Sequence, residues 1–305
     1  MSDIPLPSLS DLISEFGTED KCHEYLEHVR WPEGIECPRC GGRTISRIHK
    51  RRQFDCDACR YQFSVRVGTV LQDSKLPLWK WFLATYLMVV SKKGISANQL
   101  KGMVGVSYKT SWYLCHRIRS AMEFEGAKLS GTVEVDETFV GGKKRGKRHG
   151  IGTGWPGRDK TMVVGAIERG GDVRLRIEGR ADRRTLHRFV GDHVDDGASF
   201  IYTDGHRAYL GVGDGDTIHA SVDHGNEEWV RGDVHTNSVE GVWSLLKRSI
   251  VGSYHQLSVK HLPAYLDEIE FRFNNRKNPY LFRDTIKAII SADQLTYRDL
   301  VDKAS

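Results

Sequence analysis

The chain has 305 residues, 39% of them hydrophobic and 28% charged, so it can bury a core and is not disordered in bulk. Its net charge of +5 permits nucleic-acid binding without demanding it. The start, MSDIPLPSLSDL, lacks the charged end and apolar core of a secretory signal, and the longest apolar stretch, Trp79 to Val90, contains Lys80 and is too short to span a bilayer. The expectation is a soluble, cytoplasmic protein with no membrane partner.

Residues 8–30 read as short helices, the first capped by Ser10 with Leu12, Ile13 and Phe16 on one face. Residues 31–68 are rich in Cys, Gly and Arg and form a small metal-stapled β unit. Here Cys37-x2-Cys40 is followed, after fifteen residues, by Cys56-x2-Cys59. Each pair presents two thiolates to one tetrahedral Zn²⁺, and four protein ligands leave no open position, so the zinc is structural. Gly41 and Gly42 suit a knuckle that needs positive φ. Four reduced cysteines without a metal are the alternative. Six cysteines in all, four of them in this pattern, argue for a reducing compartment.

Residues 76–124 change to helical spacing. LPLWKWFLATYLMVV is one helix, ISANQLKGMVG a second with Ser96 as cap, and YKTSWYLCHRIRSAM a third. Two short helices joined by a Gly-containing turn match a helix-turn-helix, with an ordinary helical bundle as the alternative. Tyr108, Lys109, Arg117 and Arg119 are its candidates for contacting DNA. Cys115 is expected in the core.

From Thr132 the pattern is α/β. The strand-like runs are TVEVDETFV, TMVVGAIE, DVRLRIEG and SFIYTD, with a helix at 183–194 between the last two and helices again at 237–250 and 259–274. Residues 211–235 are polar and poorly periodic. By analogy this order suggests a ribonuclease H-like layer fold. Three separated acids stand out: Asp136 in VEVDETF, Asp204 in FIYTDGH and Glu240 in NSVEGVW. Gathered together, they could hold two divalent cations for in-line displacement at phosphorus. Each has a plain alternative: Asp136 as a solvated strand residue, Asp-Gly as a turn, Glu240 as a surface acid. Alternation puts Glu134, Asp136 and Thr138 on one face, so Glu134 rivals Asp136. On the helix, Val239, Val242, Trp243, Leu246 and Ile250 make the buried stripe, and Asn237, Glu240, Ser244 and Lys247 the stripe beside it. The Gly-rich basic run KKRGKRHG offers Lys143, Lys144, Arg145, Lys147 and Arg148 to backbone phosphates.

With these motifs in this order, the chain resembles transposases of the IS1595 type with an ISXO2-like catalytic domain. The resemblance runs over roughly residues 13–280 and rests on RWPEGIECPRC, CDACRYQFSVRVGT, LPLWKWFLATYLM, VEVDETFVGGKKR, YTDGHRAY and HTNSVEGVWSLLKR. It implies N-terminal helices and a zinc ribbon over 1–68, a helical DNA-binding segment over 76–124, a ribonuclease H-like catalytic domain over 130–280 and a C-terminal tail over 281–305. It implies that Asp136, Asp204 and Glu240 are the DDE carboxylates, binding Mg²⁺ or Mn²⁺, with Lys247 the basic residue that follows them. The implied function is cleavage and strand transfer at the terminal inverted repeats of a double-stranded DNA element, by a homodimer or higher oligomer on DNA. The alternatives are a non-enzymatic DNA-binding regulator and a nuclease without strand transfer.

Overall fold

The computed structural model describes residues 7–123, 126–141, 160–213, 216–255 and 257–302. The chain divides into two compact units, Met1–Glu123 with Lys277–Ser305, and Phe124–Arg276.

In the first unit, α1 (Leu9–Phe16) starts at a capping box. Ser8 is the cap in place of Ser10: its hydroxyl accepts from Asp11 N at 3.2 Å, and Asp11 Oδ2 accepts from Ser8 N at 3.1 Å. After α2 (Glu19–Arg30) come β1 (Ile45–Ile48), β2 (Gln53–Cys56) and β3 (Gln62–Phe63), an antiparallel sheet in that order. Its core is an aromatic cluster in which Trp31 meets Phe54 and Phe63 edge-on at 5.5 and 5.9 Å. So small a sheet buries little apolar area, and units of this size are commonly held by a metal.

Then α3 (Leu78–Val90) runs buried along most of its length. It is followed by α4 (Ala97–Val104) and α5 (Tyr108–Ser120), capped by the hydroxyls of Ser96 and Ser107. Gly105 ends α4 at φ +66°, and its N–H and that of Val106 both reach the Lys101 carbonyl. Cys115 lies in the core as expected. Two of the arginines expected to face DNA do not: Arg117 is 3% exposed and Arg119 1%. Leu114 to Arg119 are all buried, so α5 is enclosed on every side there and the two side chains, about 200° apart round the helix, are both taken out of water.

The second unit is a mixed α/β layer. β4 (Thr132–Val140), β5 (Thr161–Glu168) and β6 (Val173–Glu178) are antiparallel neighbours; α6 (Arg183–His193) leads to β7 (Phe200–Asp204), which lies parallel to β4, and β8 (Ile218–Val222) lies parallel to β7. The order across the sheet is β6-β5-β4-β7-β8. Alternation along the strands separates two cores. Val133 and Val135 of β4, with Met162, Val164 and Ala166 of β5, pack against α6; Val163 and Ile167 of β5, with Val173 and Leu175 of β6, pack on the other face. That second face is covered by α7 (Asn237–Ser249) and α8 (Leu262–Asn274) through Val239, Val242, Trp243, Leu246, Leu266 and Ile269. No described helix is long and apolar enough to cross a membrane.

The expected C-terminal tail is two helices, α9 (Leu281–Ser291) and α10 (Tyr297–Val301), and it belongs to the first unit. Phe282 of α9 meets the ring of Phe82 of α3 at 6.0 Å, and the Tyr113 hydroxyl of α5 donates to the Leu295 carbonyl at 2.6 Å. The basic run Lys143, Lys144, Arg145, Lys147 and Arg148 lies outside the described residues.

Candidate metal centre and active site

The two cysteine pairs sit on matching turns. Gly41 N donates to the Cys37 carbonyl at 2.9 Å and Arg60 N to the Cys56 carbonyl at 2.7 Å, so each turn closes just past its second cysteine. The closing residue is left-handed in both, Gly41 at φ +69° and Arg60 at φ +57°. The four Sγ atoms lie within 4.8 Å of one another, with Cys37–Cys59 at 3.7 Å and Cys40–Cys56 at 3.6 Å. A tetrahedral ZnS₄ centre with bonds of about 2.3 Å requires sulfur–sulfur separations of about 3.8 Å. The donor set therefore fits one structural zinc. We expect the purified chain to release one zinc per molecule to a thiol-blocking reagent, measured with a chromogenic indicator. Cys40→Ser should lower that value and loosen the β1–β3 sheet; a zinc content unchanged by Cys40→Ser would refute this centre.

The carboxylates lie in the second unit. Asp136 stands in β4 and Asp204 ends β7. These strands pair in parallel up to Glu134 opposite Tyr202; Asp136 and Asp204 each lie two residues past that last pair, and the charge of Asp204 acts on Asp136. On α7, Glu240, Ser244 and Lys247 fall on one face by helical period, and they line a cavity of about 480 Å³ with Asp136, Glu137, Thr138, Trp243 and Arg248. One face of this hollow thus offers acids from β4 and α7, and its edge offers two cations.

Trp243 connects the core to the site. Its indole lies over Gly165 of β5, the partner of Asp136, so closely that a Cβ there would stand 2.5 Å from the ring. From that seat its Nε1–H donates to Asp136 Oδ2 at 2.8 Å. Burial drives the Asp136 carboxyl up to about 7; the Trp243 bond opposes this, and the neighbouring charges of Glu137 and Asp204 add to it. Glu137 is also raised by burial, against a hydrogen bond from the Tyr209 hydroxyl at 2.7 Å. A site where several acids resist ionising together is suited to a compensating cation.

Glu134, the rival of Asp136, has another task. It is fully buried, and its carboxylate accepts from Ser238 N at 2.7 Å, Val239 N at 3.1 Å, Ser238 Oγ at 2.9 Å and Arg169 Nε at 2.7 Å. The first turn of α7 has no side-chain cap from Thr236, and Glu134 supplies the anion at that helix start from the face of β4 that α7 covers. It thereby sets where Glu240 and Lys247 fall. Sequence reasoning missed Glu137 and Arg248 in the cavity lining and Tyr209, buried behind Glu137. Glu137 follows Asp136 directly, but alternation aims it toward the α6 side, where its Tyr209 bond lies.

The carboxylates do not form a one-ion cage. Among the described residues the four-cysteine cluster is the close-packed group of metal-ligating side chains. Asp136 and Glu240 line the cavity together, and carboxylate oxygens are donors that hard divalent cations favour.

Comparison with known proteins gives the lineage. The transposase zinc-ribbon domain matches residues 17–62 and the ISXO2-like transposase domain residues 128–274. A protein of the transposable element ISH50 from Halobacterium salinarum, described as uncharacterized, is 30% identical over 292 residues, covering 91% of this chain and 98% of its own. The chain belongs to the IS1595-type transposase family. Its zinc ribbon and its transposase domain fall in different compact units. Among solved structures, a pre-cleavage Mos1 transpososome aligns with this transposase at 10% identity and TM-score 0.26, over 70% of this chain and 80% of that one. A chain of a simian T-cell lymphotropic virus intasome, in complex with PP2A regulatory subunit B56 gamma, aligns at 12% identity and TM-score 0.28, over 60% and 66%. Scores this low do not define a shared fold.

Proposed function

We propose that this transposase binds the double-stranded ends of its element and cuts and joins DNA strands at Asp136, Asp204 and Glu240. The observation that supports this most is the shared cavity of Asp136, Glu240 and Lys247, with Asp204 on the neighbouring strand near enough for its charge to act on Asp136. The order of three antiparallel and two parallel strands, with helices on both faces, supports a ribonuclease H-like core.

Mg²⁺ or Mn²⁺ supplies activation of water, and later of a DNA 3′-hydroxyl, together with stabilisation of the leaving 3′-oxygen. Asp136, Asp204 and Glu240 would hold these ions through their carboxylate oxygens. Trp243 fixes the Asp136 carboxylate and keeps one of its oxygens engaged. Lys247, a compact cation on the same helix face as Glu240, holds a nearby phosphate, and Arg248 adds a second charge at that edge. Tyr108 and Lys109, exposed at the start of α5, meet the DNA backbone from the α4–α5 helix pair, used as a helix-turn-helix. Lys143, Lys144, Arg145, Lys147 and Arg148 neutralise further phosphates, so affinity falls steeply with salt. Acting on two element ends requires at least a homodimer on DNA.

The test is a plasmid carrying the gene with its flanks, incubated with purified protein and Mg²⁺ or Mn²⁺. Metal-dependent nicks at the element ends, followed by joining of the free 3′-hydroxyl to target DNA, are expected. Asp204→Ala should cut at least about 10³-fold more slowly while still binding the ends. Wild-type cutting by that variant refutes the metal site. Cutting without joining makes the protein a nuclease, and end binding without cutting makes it a regulator.

A further inference from the structure

The first unit contains a second hollow, of about 680 Å³, that none of the preceding chemistry uses. It opens between the 73–76 segment, the end of α3 that bears Trp81, the start of α5 and Tyr297 of α10. Its size is that of a small-molecule site. Arg117 lies in its lining, buried, with its guanidinium carbon 5.1 Å from the ring centres of both Trp81 and Tyr113. One nitrogen donates to the Gln72 carbonyl at 2.7 Å, while its Nε is buried with no partner. The Asp73 carboxylate, in the same lining, acts on Arg117 through space and accepts from Gln294 Nε2 at 3.0 Å. The buried Nε–H is still without an acceptor, and such a donor is costly unless an acceptor completes it.

Three further features describe that anion. Lys109, exposed at the rim, puts its Nζ 4.4 Å from the ring centre of Tyr297, so a second cation shares the wall. Ser107 and Thr110 bring the start of the 13-residue α5 to the same lining, where helix N–H groups favour negative charge. Leu76, Val106 and Leu114 make apolar wall, and the half-buried rings of Tyr113 and Tyr297 stand edge to face with centres 5.7 Å apart, giving a base aromatic surface to lie against. Two cations and a helix start suit a phosphate, and the apolar and tyrosine walls suit a base.

We infer that this hollow is a binding site for a single nucleoside monophosphate, its phosphate drawn by Lys109 and Arg117 and its base held against Tyr113, Tyr297 and the apolar wall. Its source rests on the DNA-binding reading above: an unpaired, extrahelical nucleotide of the bound DNA enters the site, because the hollow opens at the start of α5. A free mononucleotide offers the same chemistry.

The experiment uses the zinc-loaded full chain without added divalent cation and three probes: a paired duplex, the same duplex with one extrahelical nucleotide, and dAMP. Duplex binding is read by anisotropy of a labelled strand, and dAMP binding by tryptophan fluorescence. The extrahelical duplex should bind about tenfold more tightly than the paired one. Tyr297→Ala should abolish that advantage and leave paired-duplex affinity within about twofold. Lys109→Ala, at an exposed position, should weaken dAMP at least about fivefold; Arg117→Gln is less informative because a buried change can unfold the unit. Binding of dAMP without an extrahelical advantage keeps the site and makes the free nucleotide its ligand. No dAMP binding and no extrahelical advantage overturns the proposal. Loss of all duplex binding with dAMP binding retained would sink the DNA-binding reading alone.

Discussion

Asp136→Asn should melt above the wild-type chain at neutral pH in the absence of divalent cations, and should cut no DNA. The Asp136 carboxyl is raised to about 7 by burial and by the nearby acids, against an unfolded value of about 3.9. Between those values the folded chain holds a proton that the unfolded chain has released. Stability therefore falls as pH rises through that window, and the deficit is complete above the folded value. Asparagine cannot ionise, and its oxygen still accepts from Trp243. At pH 8 the variant should gain about 2–4 kcal/mol, shrinking to about 1 kcal/mol by pH 5 and vanishing near pH 3. In a unit the size of Phe124–Arg276 this raises Tm by about 5–10 °C at pH 8. Adding Mn²⁺ should reverse the order, because a ligand that binds only the native wild-type site stabilises it alone. Calorimetry at three pH values decides. Equal melting at pH 8 would show that Asp136 ionises without cost, and the compensating-cation argument would fail with it.

Glu134→Ala should be the most destabilising change in the second unit, by about 3–5 kcal/mol. It leaves Arg169 without its carboxylate and the amides of Ser238 and Val239 without an acceptor inside a closed core. The start of α7 then loses its anion, and Glu240 and Lys247 lose their fixed place opposite Asp136. Glu134→Gln keeps an acceptor oxygen and should lose roughly half as much. Urea unfolding at pH 7 measures both, and zinc content should be unchanged because the cysteines lie in the other unit. A loss below about 1 kcal/mol for Glu134→Ala would mean that Glu134 does not organise α7, and that its burial is incidental.

The contrast between these two acids shows where the sequence stops being informative. Glu134 and Asp136 are two residues apart on one strand face, and their local patterns are the same. What separates them is Ser238, 104 residues away, which donates to one, and Trp243, 107 away from Asp136, which donates to the other. Arg117 is a similar case. A basic residue on a short helix is ordinarily solvated, and only the packing of Trp81 and Tyr113 around it takes it out of water. Strand β8, IHASV, is as long as β7 but lacks the apolar run that marked the other strands, because it is an edge strand supported by β7 alone.

By itself the sequence determined what depends on short spacing: the four-cysteine centre, the strands from β4 to β7, the buried stripe of α7, and the family to which those motifs in that order belong. Backbone periodicity and metal-ligand spacing are local properties, so a few residues suffice to express them. The tertiary structure alone decided which acid supports α7 and which faces the cavity, that Glu137 and Tyr209 stand beside Asp136, that Arg117 is buried, and that α9 and α10 rejoin the N-terminal helices. The solvation of a charge is set by whatever segment covers it, and here that segment lies far along the chain.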